Sequence, residues 1–317
     1  MAAGARCSVT PVSSAQSWLA SAAVASVGAV WGIYWLPLRE LQKAGFGGEW
    51  ATACIFIGCL PVAVPLVAIA RRELRAHWRP LVWLAFGNGT AFSLYSNAYA
   101  HTSVFNVIFL FYLSPIWSVL IARFWYGERV TVTRMACVAL GLGGLVAMLS
   151  ADGGWPIPRN IGDWMALTCG LVWAVTAIAI RRNEQIGAAA NAAAFFLGGI
   201  GPALLLALLS GTRQMPDAAA LDAGLLWLLG IGWLGWVPTQ LLLFWGVKRI
   251  SPVRCGILLM TELLSGAVTA AWLSGDPLSW QQVLGGAMIL MAGLGDVLTS
   301  RDSATPTPVP APVLPER

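Results

Sequence analysis

Long apolar runs separated by short polar stretches set the pattern of this chain. A helix needs about 20 predominantly apolar residues to cross the hydrocarbon of a bilayer. Ten runs meet that length, at 17–38, 50–70, 80–99, 104–123, 132–150, 162–180, 190–210, 223–246, 253–273 and 280–299. The pattern predicts an all-α integral membrane protein with ten transmembrane helices. The connections are too short for a sizeable soluble domain. The first run, Trp18 to Leu38, is too long for the apolar core of a signal peptide and is rich in large residues beyond its midpoint. The final stretch, SATPTPVPAPVLPER, is proline-rich and predicts a disordered tail.

Composition agrees. Hydrophobic residues make up 58% and charged residues 10% of the 317, with a mean hydropathy of +0.72. Soluble domains carry about 25% charged residues, so a water-facing surface cannot be built from this chain. The net charge of +5 does not point to nucleic acid, because the charges sit at the ends of apolar runs and report topology. With both termini in the cytoplasm, all of the 19 basic residues except Arg39, Lys43, Arg159 and Arg213 face inward. That bias expects a multi-pass protein of a bacterial-type cytoplasmic (inner) membrane with both ends inside. The six cysteines show no zinc or redox spacing and read as small apolar packing residues.

The chain also compares with itself. FLFYLSPIWSVLIARFWYGERVT (109–131) aligns without a gap on ILLMTELLSGAVTAAWLSGDPLS (257–279), matching Gly127 to Gly275 and Glu128 to Asp276. Trp31 pairs with Trp173 at a slightly different offset. Two halves of five crossings each must insert upside down relative to one another, the inverted-repeat plan of secondary transporters, whose sites lie near the midplane between the halves. The expected organisation is a cytoplasmic tail (1–16), a first five-helix repeat (17–150), an external linker (151–161), a second repeat (162–299) and a cytoplasmic tail (300–317).

These residues resemble the EamA-like transporters of the drug/metabolite transporter superfamily. FYLSPIWSVLIARFWYGERVT is similar to that family's fourth helix and its Gly-Glu turn. FWGVKRISPVRCGILLMTEL is similar to its eighth-to-ninth helix passage, and GDWMALTCGLVWAVTAIAIRR to its sixth helix. The resemblance, over roughly 18–299, implies a two-fold pseudosymmetric carrier of small organic molecules, commonly working in export. The chain departs from the family pattern where Leu263 rather than proline follows Glu262, where Ser114 rather than an acid precedes Pro115, and in the charged pair Arg39–Glu40.

Glu262 is the residue that most needs a reason. A charge at bilayer depth costs roughly 2.5–3.5 kcal/mol on insertion scales. Glu262, Ser265, Gly266 and Thr269 share one helix face, which turns the acid from lipid towards a cavity or a neighbour. Desolvation disfavours the charged form of a carboxyl, so one reading makes Glu262 a proton-coupling acid; the other makes it a structural acid that pins two helices. Repeat matching sets Ser114 opposite it, so the site would be acidic on one side only. On the same register Asn88 matches Trp236 and Phe92 matches Gln240, giving each half one amide and one aromatic a helical turn apart. That set suits an amphipathic solute or, alternatively, hydrogen-bonded helix bridges. Trp31, Tyr34 and Trp173 near the seam complete the candidates.

His77 and His101 form no ligand cluster with acids, and no phosphate-binding loop of the G-x-x-x-x-G-K type occurs. The chain therefore reads as a non-enzyme that needs no cofactor or metal and draws on ion gradients. The leading function is secondary transport, by alternating access, of small metabolites such as amino acids. The alternatives are an exporter of drugs or cationic compounds and, in another class, a non-transporting scaffold or lipid-handling protein. The expected partners are a small-molecule solute and membrane lipid, with the protein a monomer or a homodimer. Gly28-x-x-x-Gly32 and the glycines of 141–144 read as helix-packing faces.

Overall fold

Proline spacing accounts for most of the breaks in this helical protein. The computed structural model describes residues 14–125, 127, 131–150, 157–183, 185–210, 215–250, 252–275 and 279–299. Residues 1–13 of the first tail, the whole of the last tail and residues 151–156 of the linker lie outside the described residues, while 14–16 already belong to the first helix. Proline lacks the amide hydrogen that would bond the carbonyl four residues back, and its ring clashes with that carbonyl. Accordingly the first run divides into α1 (Ser14–Gly32) and α2 (Trp35–Lys43), with Pro37 four residues beyond Ile33 at the break. Pro61 follows the bend between α3 (Gly48–Gly58) and α4 (Leu60–Ala76), which meet at 45°. After α5 (Trp78–Ala98), Pro115 stands four residues past the end of α6 (Val104–Phe111), and α7 (Ser114–Trp125) resumes the path.

The second half repeats the plan. It follows α8 (Val132–Leu149) with α9 (Ile161–Arg182), α10 (Ala188–Leu209) and α11 (Ala218–Leu229). A π-helical segment, Gly230–Trp236, then leads into α12 (Val237–Gly246). Here Pro238 frees the carbonyl of Leu234 inside the π segment, and the wider winding absorbs the misfit. The chain closes with α13 (Pro252–Leu259), α14 (Thr261–Leu273) and α15 (Trp280–Thr299). The run at 253–273 was expected as one helix, yet it breaks at Met260 with no proline to blame. Side-chain hydroxyls replace the lost bonds: Thr261 donates to the Leu258 carbonyl at 2.8 Å, and Tyr112 to the Leu259 carbonyl at 2.9 Å.

No strand occurs among the described residues. Among the described residues six spans are long and apolar enough to cross a membrane, and the bent α3–α4 pair makes a seventh. The other three expected spans fall on α5, α8 and α15; of these α5 falls short in hydropathy, while α8 and α15 include residues whose side chains lie outside the described set. For α5 the reason is its burden of Asn88, Ser93, Ser96 and Asn97, all buried against other helices rather than turned to lipid. Trp83, Leu208, Leu226 and Trp272, by contrast, stand exposed on the outside as a lipid-facing surface would require.

Small residues let the backbones meet. A Cβ on Gly28 or Gly32 would run into Thr261, Glu262 and Ser265 of α14, and the contact is laced by Thr261 Oγ1 to the Ala25 carbonyl (2.8 Å) and Ser265 Oγ to the Ala29 carbonyl (3.1 Å). Gly89 similarly meets Gly199 between α5 and α10, and Gly144 meets Gly285 between α8 and α15. The repeat recurs at this level. Gly28 faces the Leu259 carbonyl, and Gly170, its counterpart in the second half, faces the Phe111 carbonyl, which is the counterpart of Leu259. Gly127 and Gly275, matched by sequence, take positive φ of 66° and 73°, a backbone state that favours glycine.

Overpacking a close helix crossing costs about 1–3 kcal/mol. Gly32→Val is therefore expected to lower the melting temperature of the purified protein, whereas Gly201→Ala, where a Cβ meets nothing within 4 Å, should leave it unchanged or raise it.

Candidate functional site

The helix breaks deliver the polar and aromatic side chains to one place. The turn after α1 exposes Tyr34 to the interior. The π segment swings Trp236 inward, and the α6–α7 break does the same for Tyr112. Four of the sequence-predicted residues come together: Trp31 stacks on Trp236 at 5.6 Å between ring centroids, Tyr34 meets Trp236 edge-on at 5.1 Å, and Phe92 meets Trp236 at 4.1 Å. Phe56 and Phe195, which sequence reasoning missed, extend the cluster, each packing against Phe92 at 5.1 and 5.8 Å. Edge-to-face contacts at such separations are favourable beyond the area they bury. The Trp31 indole N–H donates to Thr239 Oγ1 at 3.2 Å, and that hydroxyl donates to the Gly235 carbonyl in the π segment at 2.7 Å. The wall is thereby tied to the irregular backbone that creates it.

Asn88 and Gln240 are buried, each one turn along its helix from a ring of the cluster, Phe92 and Trp236 respectively. Ser114 is half-buried at the start of α7, and Trp173 is half-buried on α9. Neither is joined to the ring cluster by a ring contact or hydrogen bond described here. Ser265 departs from expectation. The stripe Glu262–Ser265–Gly266–Thr269 does not face a cavity as one surface. Ser265 is spent on the Ala29 carbonyl, Thr269 accepts from the Trp35 indole at 3.1 Å, and Gly266 abuts Gly32. The close approach of α1 claims that face, and it leaves Glu262 to point the other way.

Glu262 lies in the first turn of α14 and is only 4% exposed. Its carboxylate oxygens are held separately: Tyr95 donates to Oε1 at 3.1 Å and Tyr112 to Oε2 at 3.2 Å. Tyr99 in turn donates to the Tyr95 hydroxyl at 2.8 Å. Tyr34 contacts Tyr99 edge-on, at 6.5 Å between ring centroids, and links this acid centre to the ring cluster. Its hydroxyl shares a 2.8 Å hydrogen bond with Ser96, which also accepts from Thr52 at 2.8 Å. Four of the chain's five tyrosines thus converge on one site. Their scarcity, and the spacing of Tyr95 and Tyr99 one turn apart in an otherwise apolar span, are signals that the sequence did carry.

Two outlying features qualify the charge reading. Glu40 pairs with Lys43 at 2.6 Å, while Arg39 donates to the Ser274 carbonyl at 2.6 Å and lies over the Trp35 ring. His101 places Nε2 2.9 Å from Glu49 Oε1, a single pair. Among the described residues no group of three or more His, Cys, Asp and Glu side chains is placed to hold a metal.

An all-helical multi-pass membrane protein built from two like halves, with its polar residues gathered inside, is the architecture of a membrane transporter. The sequence pattern of the EamA-like transporter family matches the chain twice, over residues 18–150 and 160–295, and the chain belongs to that family. It is 27% identical over 239 residues to an uncharacterized transporter of Archaeoglobus fulgidus, a match covering 74% of this chain and 81% of the relative. A solved crystal structure of a protein superposes with a TM-score of 0.60 over 90% of this chain and 98% of the other, at 20% identity, a likeness of fold.

The Tyr112 hydroxyl serves both a carboxylate and a carbonyl exposed by the α13–α14 break. Tyr112→Phe is expected to cost roughly 1–3 kcal/mol by leaving buried acceptors unpaired, read as a lower unfolding midpoint of the purified protein.

Proposed function

We propose that this EamA-family protein is a secondary transporter of small amphipathic metabolites, amino acids among them, that exports its solute across the cytoplasmic membrane in exchange for protons. The supporting observation is the juxtaposition at the seam between the halves of a buried carboxylate, Glu262, held by two phenols, with a wall of Trp31, Tyr34, Phe92 and Trp236 rings. A buried carboxylate without a cationic partner is costly, and protonation relieves that cost. An acid placed there links the proton-bound and proton-free states to different arrangements of α14 against α5 and α6. In this reading ten spans form two inverted repeats, both termini lie in the cytoplasm, and alternating access separates the rings that meet at the seam. Asn88 and Gln240, a turn from the rings, supply neutral hydrogen-bonding groups for the polar end of the solute.

A second reading, export of cationic amphipathic compounds, draws on the same features, since ring faces attract cations and Glu262 would neutralise one. Proteoliposomes loaded with a panel of amino acids or cationic dyes, with and without a pH gradient, separate the two. Gradient-driven flux of the substrate is expected in the wild type and is lost in Glu262→Gln; undiminished flux in that variant would make Glu262 structural. Asn88→Ala and Gln240→Ala should change the rank order of substrates, and an unaltered order would take both out of the pocket.

A further inference from the structure

Beyond the acid itself, the hydroxyls around Glu262 have a direction. Tyr99 donates to Tyr95 at 2.8 Å, and Tyr95 donates to Glu262 Oε1 at 3.1 Å. Tyr112 differs: it donates to Glu262 Oε2 and to the Leu259 carbonyl, so its hydrogen bonds end on the backbone. A further titratable group near the carboxylate is the buried thiol of Cys169 on α9, while Gly28 and Gly32 of α1 lie against the backbone of Glu262. Tyr95 and Tyr99 lie one turn apart, about 6 Å along the backbone, and Tyr99 caps α5, so the two hydroxyls meet between the buried acid and the end of that helix. Two residues further on, His101 and Glu49 form their polar pair.

We infer that Tyr95 and Tyr99 are a proton relay that connects Glu262 with the outer solution at the α5 end, while Tyr112 positions the carboxylate. The inference rests on Glu262 being the coupling acid and on the inward placement of both termini, which makes the Tyr99 end of α5 the outer one. Tyr99 is buried in this structure, so the loading step begins when the outer side opens and a hydronium ion of the outer solution gives a proton to the Tyr99 oxygen. The Tyr99 proton passes to the Tyr95 oxygen, and the Tyr95 proton passes to Oε1 of Glu262. Each O–H bond that breaks is matched by one that forms. Water is left outside, both phenols end neutral, and the carboxylate becomes a carboxylic acid. Rotation of the two hydroxyls restores the starting direction. No phenolate has to persist, which suits groups buried away from water.

The test follows protonation rather than transport alone. Protons are released by photolysis of a caged acid onto the purified full-length protein. The protonated-carboxyl C=O stretch is then followed by time-resolved infrared spectroscopy and assigned by its loss in Glu262→Gln. Tyr99→Phe and Tyr95→Phe are each expected to delay that band by about tenfold, since a positioned proton donor commonly contributes that much or more. They should also reduce gradient-driven flux in proteoliposomes while solute exchange at equal pH persists. Tyr99 does not touch the carboxylate, so its variant reports on the relay even where Tyr95→Phe disturbs folding. A band that rises at the wild-type rate in Tyr99→Phe overturns the relay and leaves the coupling role of Glu262 intact. A wild-type protein that shows no such band overturns both.

Discussion

A backbone carbonyl freed inside a membrane has no water to bond, and this structure is organised around meeting that demand. Each proline in a span removes one amide hydrogen and displaces the carbonyl four residues back. Pro37, Pro61, Pro115 and Pro238 each stand just past a break or a π segment. In α13–α14 the break has no proline, and Thr261 and Tyr112 hydroxyls take up the stranded carbonyls. At the π segment Thr239 donates to the neighbouring Gly235 carbonyl. Irregular backbone at membrane depth is tolerable only where protein groups surround it, and the breaks at Tyr34, Trp236 and Met260 each set a buried side chain beside the irregular backbone.

That constraint explains why the breaks and the candidate site coincide. The turn at Tyr34, the π segment at Trp236 and the interruption at Tyr112 each re-aim one ring: Tyr34 and Trp236 meet edge-on, and Tyr112 turns to Glu262. Glu262 falls in the turn just after the remaining break. Its neighbours on α14 are consumed by the crossing with α1, where Gly28 and Gly32 bring two backbones together. The side chain that is not part of that crossing is left among the phenols. Packing on one face of α14 and chemistry on the other are thus two consequences of a single close approach.

The two halves keep the same skeleton and differ in what they hang on it. Gly28 and Gly170 face equivalent carbonyls, and Gly127 and Gly275 share a left-handed backbone. Yet Ser114 stands where the other half has Glu262, and the tyrosines that hold the acid, Tyr95, Tyr99 and Tyr112, all come from the first half. The acid is supplied by one repeat and its hydrogen-bond donors by the other. A change in how the halves meet therefore changes the surroundings of the carboxylate, which is the physical link that coupled transport requires.

The helical class, most helix positions, the two like halves and the interest of Glu262 were legible along the chain, because apolar length, repeated spacing and a lone carboxylate are local properties. Trp31, Tyr34, Phe92 and Trp236 could be named as candidates along the chain, but their meeting in one cluster, without Trp173, was decided by the fold. The face on which Ser265 spends its hydroxyl was not legible. Helical periodicity assigns residues to a face but does not say which neighbour arrives there, and the Gly28–Gly32 approach decided that. The break at Met260 was equally hidden, for no proline announces it and the hydroxyl of Tyr112 that supports it is about 150 residues away. The phenol network was visible only as scarce tyrosines at helical spacing. Hydrogen-bond direction and partner depend on atoms brought together by the fold, and only the tertiary structure could join Tyr99, Tyr95, Glu262 and Tyr112 into one connected set.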